Sequence, residues 1–228
     1  MNKQGKDGIE WCDFTWNPVT GCLHGCEYCY AKRMYHQYNR SFEPMFNPSK
    51  LDEPAKTKKP QRIFVVDMGD LFGEWVPDEW IEEVFKACEE APQHKYLFLT
   101  KNPDRYCDLY DYAELTSGSN FWYGSTITKT TDNFAFDKSA TKPDNNYFLS
   151  VEPLLGEVSI DTYFLKRIRW VIIGQQTGPG AVPSKPEWVQ SIIDQCRAAG
   201  VPVFVKSPLY EQFPIQEWPE GLKGEEKC

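Results

Sequence analysis

Three cysteines, Cys22, Cys26 and Cys29, stand close together in the stretch CLHGCEYC. Thiolates are soft ligands, and three of them on one compact loop point at a single soft-metal site. A structural zinc site ordinarily takes four protein ligands, commonly as two separated pairs. No second close pair of cysteines exists in this chain, so zinc would have to recruit His24, inside the loop, or Cys12, close by. A 4Fe–4S cluster also takes four ligands, commonly four cysteines. Held by three, it keeps one iron without a protein ligand, and that open position can bind a substrate or cofactor. The remaining cysteines are scattered along the chain. Cys88 and Cys196 fall in helix-like apolar patterns and read as buried small hydrophobes.

The chain around this loop has 228 residues, 41% of them hydrophobic and 15% aromatic. That is a globular composition with enough length for a substantial core. Lys plus Arg number 25 and Asp plus Glu 33, a net charge of −8. This acidic balance is a poor electrostatic match to duplex DNA or tRNA. It favours a small-molecule substrate over a nucleic acid, while leaving room for a local basic patch. No apolar run approaches the roughly 18 residues of a membrane span, and the opening MNKQGKDGIEW lacks the apolar core of a signal peptide. The expected setting is cytoplasmic, where thiols stay reduced, with no membrane partner.

Short strand-like runs alternate with helix-like segments. The runs are FTWNPVT (14–20), RIFVVDM (62–68), KYLFLTK (95–101), FWYGSTI (121–127), YFLSVEPLL (147–155), RWVIIGQQ (169–176) and VPVFVKS (201–207). The helical candidates are 28–39, 77–91, 102–115 and 184–200, the last ending at a Gly suited to a helix C-terminus. Helices after the runs at 121–127 and 147–155 are less marked. Alternation of this kind, with continuous apolar strands, predicts an α/β fold of parallel strands covered by helical crossovers. Seven strands suit either an open doubly wound sheet or an incomplete barrel. One domain is expected over 1–228, its core about 9–207, with 208–228 a peripheral extension that is polar from Pro214. The stretch 47–61, rich in Pro and Lys, reads as a loop or linker.

Parallel α/β folds place ligands at the carboxyl ends of their strands. The residues that follow each run are therefore candidates: Asp67, Met68, Gly69 and Asp70; Thr100 and Lys101; Ser125 and Thr126; Glu152; Gln175 and Gln176; Lys206 and Ser207. The cysteine loop also follows a strand and belongs to the same rim.

Cys22-Leu-His-Gly-Cys26-Glu-Tyr-Cys29, with the aromatic Tyr28 directly before the third cysteine, resembles the signature of radical S-adenosylmethionine (SAM) enzymes. The resemblance extends to IEWCDFTWNPVTGC, MGDLFG, FLTKNPDRY, SVEPLLG and WVIIGQQTGPG, which are similar to a compact phage-protein-like family within that group, spanning residues 9 to 180. Among its members the chain most resembles the queuine lyases, salvage enzymes that free a deazaguanine base from a queuosine nucleotide. Gln175 and Gln176 stand where the common form of the last motif has a Gly-Glu pair. The resemblance implies a partial (β/α)6 TIM-type barrel, the radical SAM fold. It also implies a 4Fe–4S cluster on Cys22, Cys26 and Cys29, SAM chelated at the open iron, and a one-electron donor such as flavodoxin or ferredoxin.

On that resemblance, roles follow for the rim. Tyr28, Met68, Gly69, Asp70, Ser125, Thr126 and Glu152 would bind the SAM cofactor, with Asp70 accepting from its ammonium. The competing reading makes Asp70 the cap of its own turn. Glu10, Asp13, Gln175 and Gln176 offer acceptors to the N–H edge of a deazaguanine. Lys101, Arg105 and Lys206 offer charge to a phosphate. Trp11, Phe14 and Trp16 would join Tyr28 in shielding the cluster or stacking on a base, and core packing is the alternative for them. Cys12 is a candidate to return hydrogen to a substrate radical, against a packed thiol. A radical SAM enzyme acting on DNA lesions, an enzyme of deazaguanine biosynthesis and a non-catalytic metal-binding module are the rival readings.

Overall fold

A computed structural model describes residues 1–5, 8–111, 118–130 and 145–224. Its strands are β1 (Asn2–Lys3), β2 (Phe14–Trp16), β3 (Val19–Thr20), β4 (Met45–Phe46), β5 (Arg62–Val65), β6 (Lys95–Thr100), β7 (Phe121–Ile127), β8 (Asn146–Val151), β9 (Ile168–Ile173) and β10 (Val203–Val205). The α-helices are α1 (Tyr30–Gln37), α2 (Asp78–Glu89), α3 (Asp104–Asp111), α4 (Thr162–Leu165) and α5 (Pro186–Ala199). Among the described residues one compact unit takes in those up to Ser125 together with Asn145, and a second takes in 126–130 and 146–224.

In the first unit β2, β5, β6 and the start of β7 run parallel in that order, and β1 adds to β2 antiparallel. The helices between them cover the sheet as the apolar periodicity requires. α2 buries Ile81, Val84, Phe85 and Cys88, and Phe85 lies 5.2 Å from Phe98 and 6.1 Å from Phe121, ring centre to ring centre. Asp78 and Glu79 occupy its first turn, where carboxylates complement the helix dipole. In the second unit β8, β9 and β10 are parallel neighbours in that order. α5 buries Val189, Ile192, Ile193 and Cys196 and ends on Gly200 at φ 71°, a left-handed cap that suits Gly.

The run expected as one strand over 14–20 is two. Pro18 has no N–H for a ladder, and the chain breaks between β2 and β3, the latter pairing antiparallel with β4. β5 likewise stops at Val65, because Val66 takes φ 63°, a left-handed conformation costly for a β-branched residue. The helix expected over 102–115 is seen over Asp104–Asp111; 112–117 lie outside the described residues, as do the segment 131–144 after β7, Cys228 and the last residues of the expected extension. The Pro- and Lys-rich stretch 47–61 is held to the first unit. Its Lys50 carbonyl accepts from the Trp16 indole (2.8 Å) and its Pro54 carbonyl meets His94 (3.0 Å). The tail from Pro214 is tied down in the second unit. Trp218 packs 5.2 Å from Trp170, and the Glu217 carbonyl accepts from the Trp170 indole (2.9 Å). No helix among the described residues is long and apolar enough to cross a membrane.

Candidate functional site

The path from β2 to the cysteine loop is pinned to the exit of β5. Val66 N donates to Trp16 O (2.7 Å), Met68 N to the Asn17 side-chain oxygen (2.9 Å), and the Asn17 amide nitrogen to Asp67 Oδ1 (2.6 Å). Gly21 N then donates to Met68 O (2.9 Å), in a parallel bridge between Gly21 and Gly69. Both glycines are dictated by space. A Cβ on Gly69 would stand 2.7 Å from the Gly21 carbonyl oxygen, and one on Gly21, at φ 85°, would stand 2.2 Å from Glu43 O. Cys22 follows directly, its N–H bonded to Phe42 O (3.1 Å).

Asp70 is the centre of this arrangement. It is 4% exposed. Its Oδ1 accepts from Phe72 N (3.0 Å), capping its own turn. Its Oδ2 accepts from Thr100 Oγ1 (3.0 Å) and Lys101 N (3.0 Å) at the end of β6, and meets His24 Nε2 at 2.8 Å. His24 sits between Cys22 and Cys26, so the cysteine loop is tethered to the exits of two parallel strands through one carboxylate. The His24 ring also packs edge-on against Trp75, 4.8 Å between centroids. The Trp75 indole N–H is buried without a hydrogen-bond partner among the described residues. The loop ends in α1, where the Cys29 sulfur accepts from Lys32 N (3.4 Å) as the helix cap, and Tyr30 Oη donates to Asp67 O (2.8 Å).

All three loop cysteines are free and half-buried. Burial, with the charges of Asp70 and the neighbouring thiols, pushes the Cys22 thiol up to about 12. Among the described residues, no three His, Cys, Asp or Glu side chains converge on one metal position, so the sulfurs share a loop without being drawn to a common point. The donor set nonetheless suits a soft metal centre: three reduced thiols on a loop whose backbone and histidine are already engaged elsewhere.

Of the predicted residues, the first unit brings Met68, Gly69, Asp70, Tyr28 and Lys101 to this loop. The Lys101 ammonium lies 5.2 Å from the Tyr28 ring centre, a cation–π contact. Ser125 pairs with Thr100 in the β6–β7 register and is fully buried, its hydroxyl without a partner among the described residues. Arg105 is taken up elsewhere, donating to Val76 O (3.2 Å) and pairing with Asp78. Asp13 lies at the opposite, amino end of β2 and β5. There it holds Arg62 through Nη2 (2.7 Å), Nε (3.1 Å) and the backbone N–H (2.8 Å). Burial pushes its carboxyl up, but the hydrogen bonds and charge of Arg62 outweigh this and hold it below the usual carboxylate range. Glu10, three residues earlier, is half-buried. Trp11 packs 4.6 Å from Phe64 and Trp16 is core, and the Cys12 thiol is packed and pushed up by burial.

In the second unit Glu152, after β8, and Lys206, after β10, pair with each other. Gly174, after β9, leaves room for that carboxylate: a Cβ there would stand 2.8 Å from its carboxyl carbon. Thr126, Gln175 and Gln176 are half-buried, and Gln176 Oε1 accepts from Val182 N (3.3 Å). Reading the sequence did not single out Asn17 or Trp75. The aromatic in GEW was their only local signal, because their roles depend on segments far apart in the chain.

Comparison with solved structures finds spore photoproduct lyase. One structure, complexed with dinucleoside spore photoproduct, matches at 12% identity and TM-score 0.55, covering 84% of this chain and 76% of that one. A double mutant with bound AdoMet and the same dinucleoside matches at 13% and 0.52, covering 86% and 73%. These likenesses show the fold, the α/β, partial TIM-type barrel expected from the sequence. No curated protein matches the chain. A family profile described as "Protein of unknown function (DUF5131)" matches residues 6–213, and the chain belongs to that family.

Proposed function

We propose that this protein is a radical SAM enzyme that breaks a bond in a nucleoside-derived small molecule. Its leading substrate is queuosine 5′-phosphate, from which queuine would be released by glycosidic C–N cleavage. One observation carries the reading. The Cys22, Cys26 and Cys29 loop is anchored, through His24 and Asp70, at the carboxyl ends of the first parallel strands, where α/β folds bind ligands. The residues fit a 4Fe–4S cluster by donor chemistry and by leaving no fourth cysteine in the loop. Such a cluster with SAM supplies a 5′-deoxyadenosyl radical able to take hydrogen from an unactivated carbon.

The chain's own residues hold and orient. Gly21 and Gly69 bring the loop against the exit of β5, and Asp70 keeps its geometry. Met68, Gly69 and the Ser125 hydroxyl, buried without a hydrogen-bond partner among the described residues, are assigned to SAM. Gln175 and Gln176 present amides suited to the N–H edge of a deazaguanine. Lys101 offers a cation to a substrate phosphate. A second reading, repair of a DNA lesion, is favoured by the spore photoproduct lyase likeness; the net charge of −8 opposes binding to duplex DNA.

The test is anaerobic. The chain is reconstituted with iron and sulfide and given SAM and dithionite, with queuosine 5′-phosphate or a dinucleoside photoproduct, and products are read by mass spectrometry. Free base formed together with 5′-deoxyadenosine supports the lyase. Repaired dinucleoside without free base moves the assignment to the second reading. No 5′-deoxyadenosine from a fully assembled cluster rejects both.

A further inference from the structure

Among the described residues nine large hydrophobic side chains are exposed, and five of them fall between residues 23 and 45. Tyr30 (45% exposed), Met34 (43%) and Tyr38 (64%) recur every four residues along α1 and its C-terminal cap. Leu23 (50%), in the cysteine loop, and Met45 (53%), on β4, extend the patch. The backbone places both near the same corner: Cys22 N bonds Phe42 O, and Thr20 pairs with Met45. Concentrated apolar exposure of this kind marks an interaction surface. α1 is held by Ala31, which is buried, by Tyr35, stacked edge-on with Phe42 at 5.0 Å, and by the Tyr30 hydroxyl on Asp67 O, so Met34 and Tyr38 are not what seats the helix.

The charge of this segment is opposite to that of the chain. Residues 28–42 carry Lys32, Arg33 and Arg40, with His36, and no Asp or Glu, in a protein of net charge −8. Glu27 and Glu43 flank the segment at its two ends. Tyr and Met with an Arg beside them, Arg40 lying 6.0 Å from the Tyr38 ring centre, have the composition of a protein interface. Its cations favour an acidic partner. Three cations in this segment make a poor track for a phosphate backbone, whose binding scales with the number of charges neutralised. The location narrows the partner further, since α1 starts at Tyr30, directly after Cys29.

We propose that the α1 stripe, with Leu23 and Met45, is the docking surface for an acidic one-electron carrier protein; this rests on the redox reading of the cysteine loop given above. One electron leaves the carrier, which is oxidised by one equivalent, and one is accepted at the centre held by Cys22, Cys26 and Cys29. No covalent bond forms or breaks. Encounters of this kind use small, short-lived interfaces, and a patch built on one helix and two short flanks has that scale.

The experiment uses flavodoxin as the probe and the combined variant Met34→Asp with Arg40→Glu, both exposed positions outside the loop's anchoring network. Binding of oxidised flavodoxin to the metal-free chain is measured first, at low and at high salt. The wild-type chain should bind, and bind more weakly as salt rises; the variant should lose about tenfold in affinity, the direction expected when rim charges are reversed. In the reconstituted protein, reduction of the centre by reduced flavodoxin should slow by a similar factor, while dithionite-driven formation of 5′-deoxyadenosine stays at the wild-type level. Unchanged flavodoxin binding and reduction in the variant would overturn the docking surface. So would a loss of binding to a labelled oligonucleotide with flavodoxin binding intact. Failure of the wild-type chain to cleave SAM even with dithionite overturns the reading underneath and leaves the metal-free binding result to decide the surface by itself.

Discussion

Asp13 and Asp70 stand at opposite ends of the same pair of parallel strands, β2 and β5, and they do different work. Asp13, at the amino ends, faces one guanidinium, with a third of its side chain open to solvent (33%). Asp70, past the carboxyl ends, is 6% exposed in its side chain and takes hydrogen bonds from three separate segments. An exposed ion pair is screened and contributes little. A buried carboxylate shared by several donors has no solvent to replace a lost partner, so it carries geometry. The contrast separates a carboxylate that ties the sheet's base from one that holds the cysteine loop in place.

The comparison can be broken in order of effect. Cys26→Ala should abolish iron loading and SAM cleavage, read as iron per chain and as 5′-deoxyadenosine after reconstitution. Full iron content in that variant would remove the metal reading of the loop. Gly69→Ala forces a Cβ to within 2.7 Å of the Gly21 carbonyl, so the strand exit and the loop must part. A loss of about 2–4 kcal/mol in urea unfolding is expected, the range of severe backbone and packing defects, with faster hydrogen exchange over 20–29.

Asp70→Asn puts an amide N–H₂ among buried donors and should cost about 1–3 kcal/mol, with the loss of protection centred on the cysteine loop. Asp13→Asn should cost about 1 kcal/mol or less and leave the loop's exchange unchanged. Equal losses from both substitutions would erase the distinction. The smallest effect is in pH. The Asp13 carboxyl is depressed in the folded chain, so the unfolded chain binds the proton more readily. Its stabilisation is present above the unfolded carboxylate value of about 3.9 and is lost as pH falls below that through the folded value. Asp13→Asn should flatten this acid limb of a stability–pH curve.

Several elements were legible because their signals are local. The periodicity over 77–91 predicts α2, and the apolar runs at 95–101 and 121–127 predict β6 and β7. The pattern overreached where a local run met a distant constraint. The run 14–20 reads as continuous strand, yet Asn17 leaves the ladder to bond Asp67 and Met68. The run 62–68 reads as apolar strand through Val66, yet Val66 turns left-handed there. Positions near strand ends mark Arg105 and Lys206 as candidate phosphate ligands. Which carboxylate each would meet, Asp78 or Glu152, depends on elements 27 and 54 residues away.

By itself the sequence determined the alternating α/β pattern, the acidic balance and the three-thiol loop, since spacing, composition and periodicity are properties of neighbours along the chain. Only the tertiary structure decided that His24 reaches Asp70, that Gly21 and Gly69 meet backbone to backbone, and that Asp13 holds Arg62 at the amino ends of its strands, the end opposite the cysteine loop. Those are contacts between segments about 46 to 49 residues apart. Chain closure over such distances is set by the register of β2 against β5 and by what can pack around it, and no short window of residues contains that information.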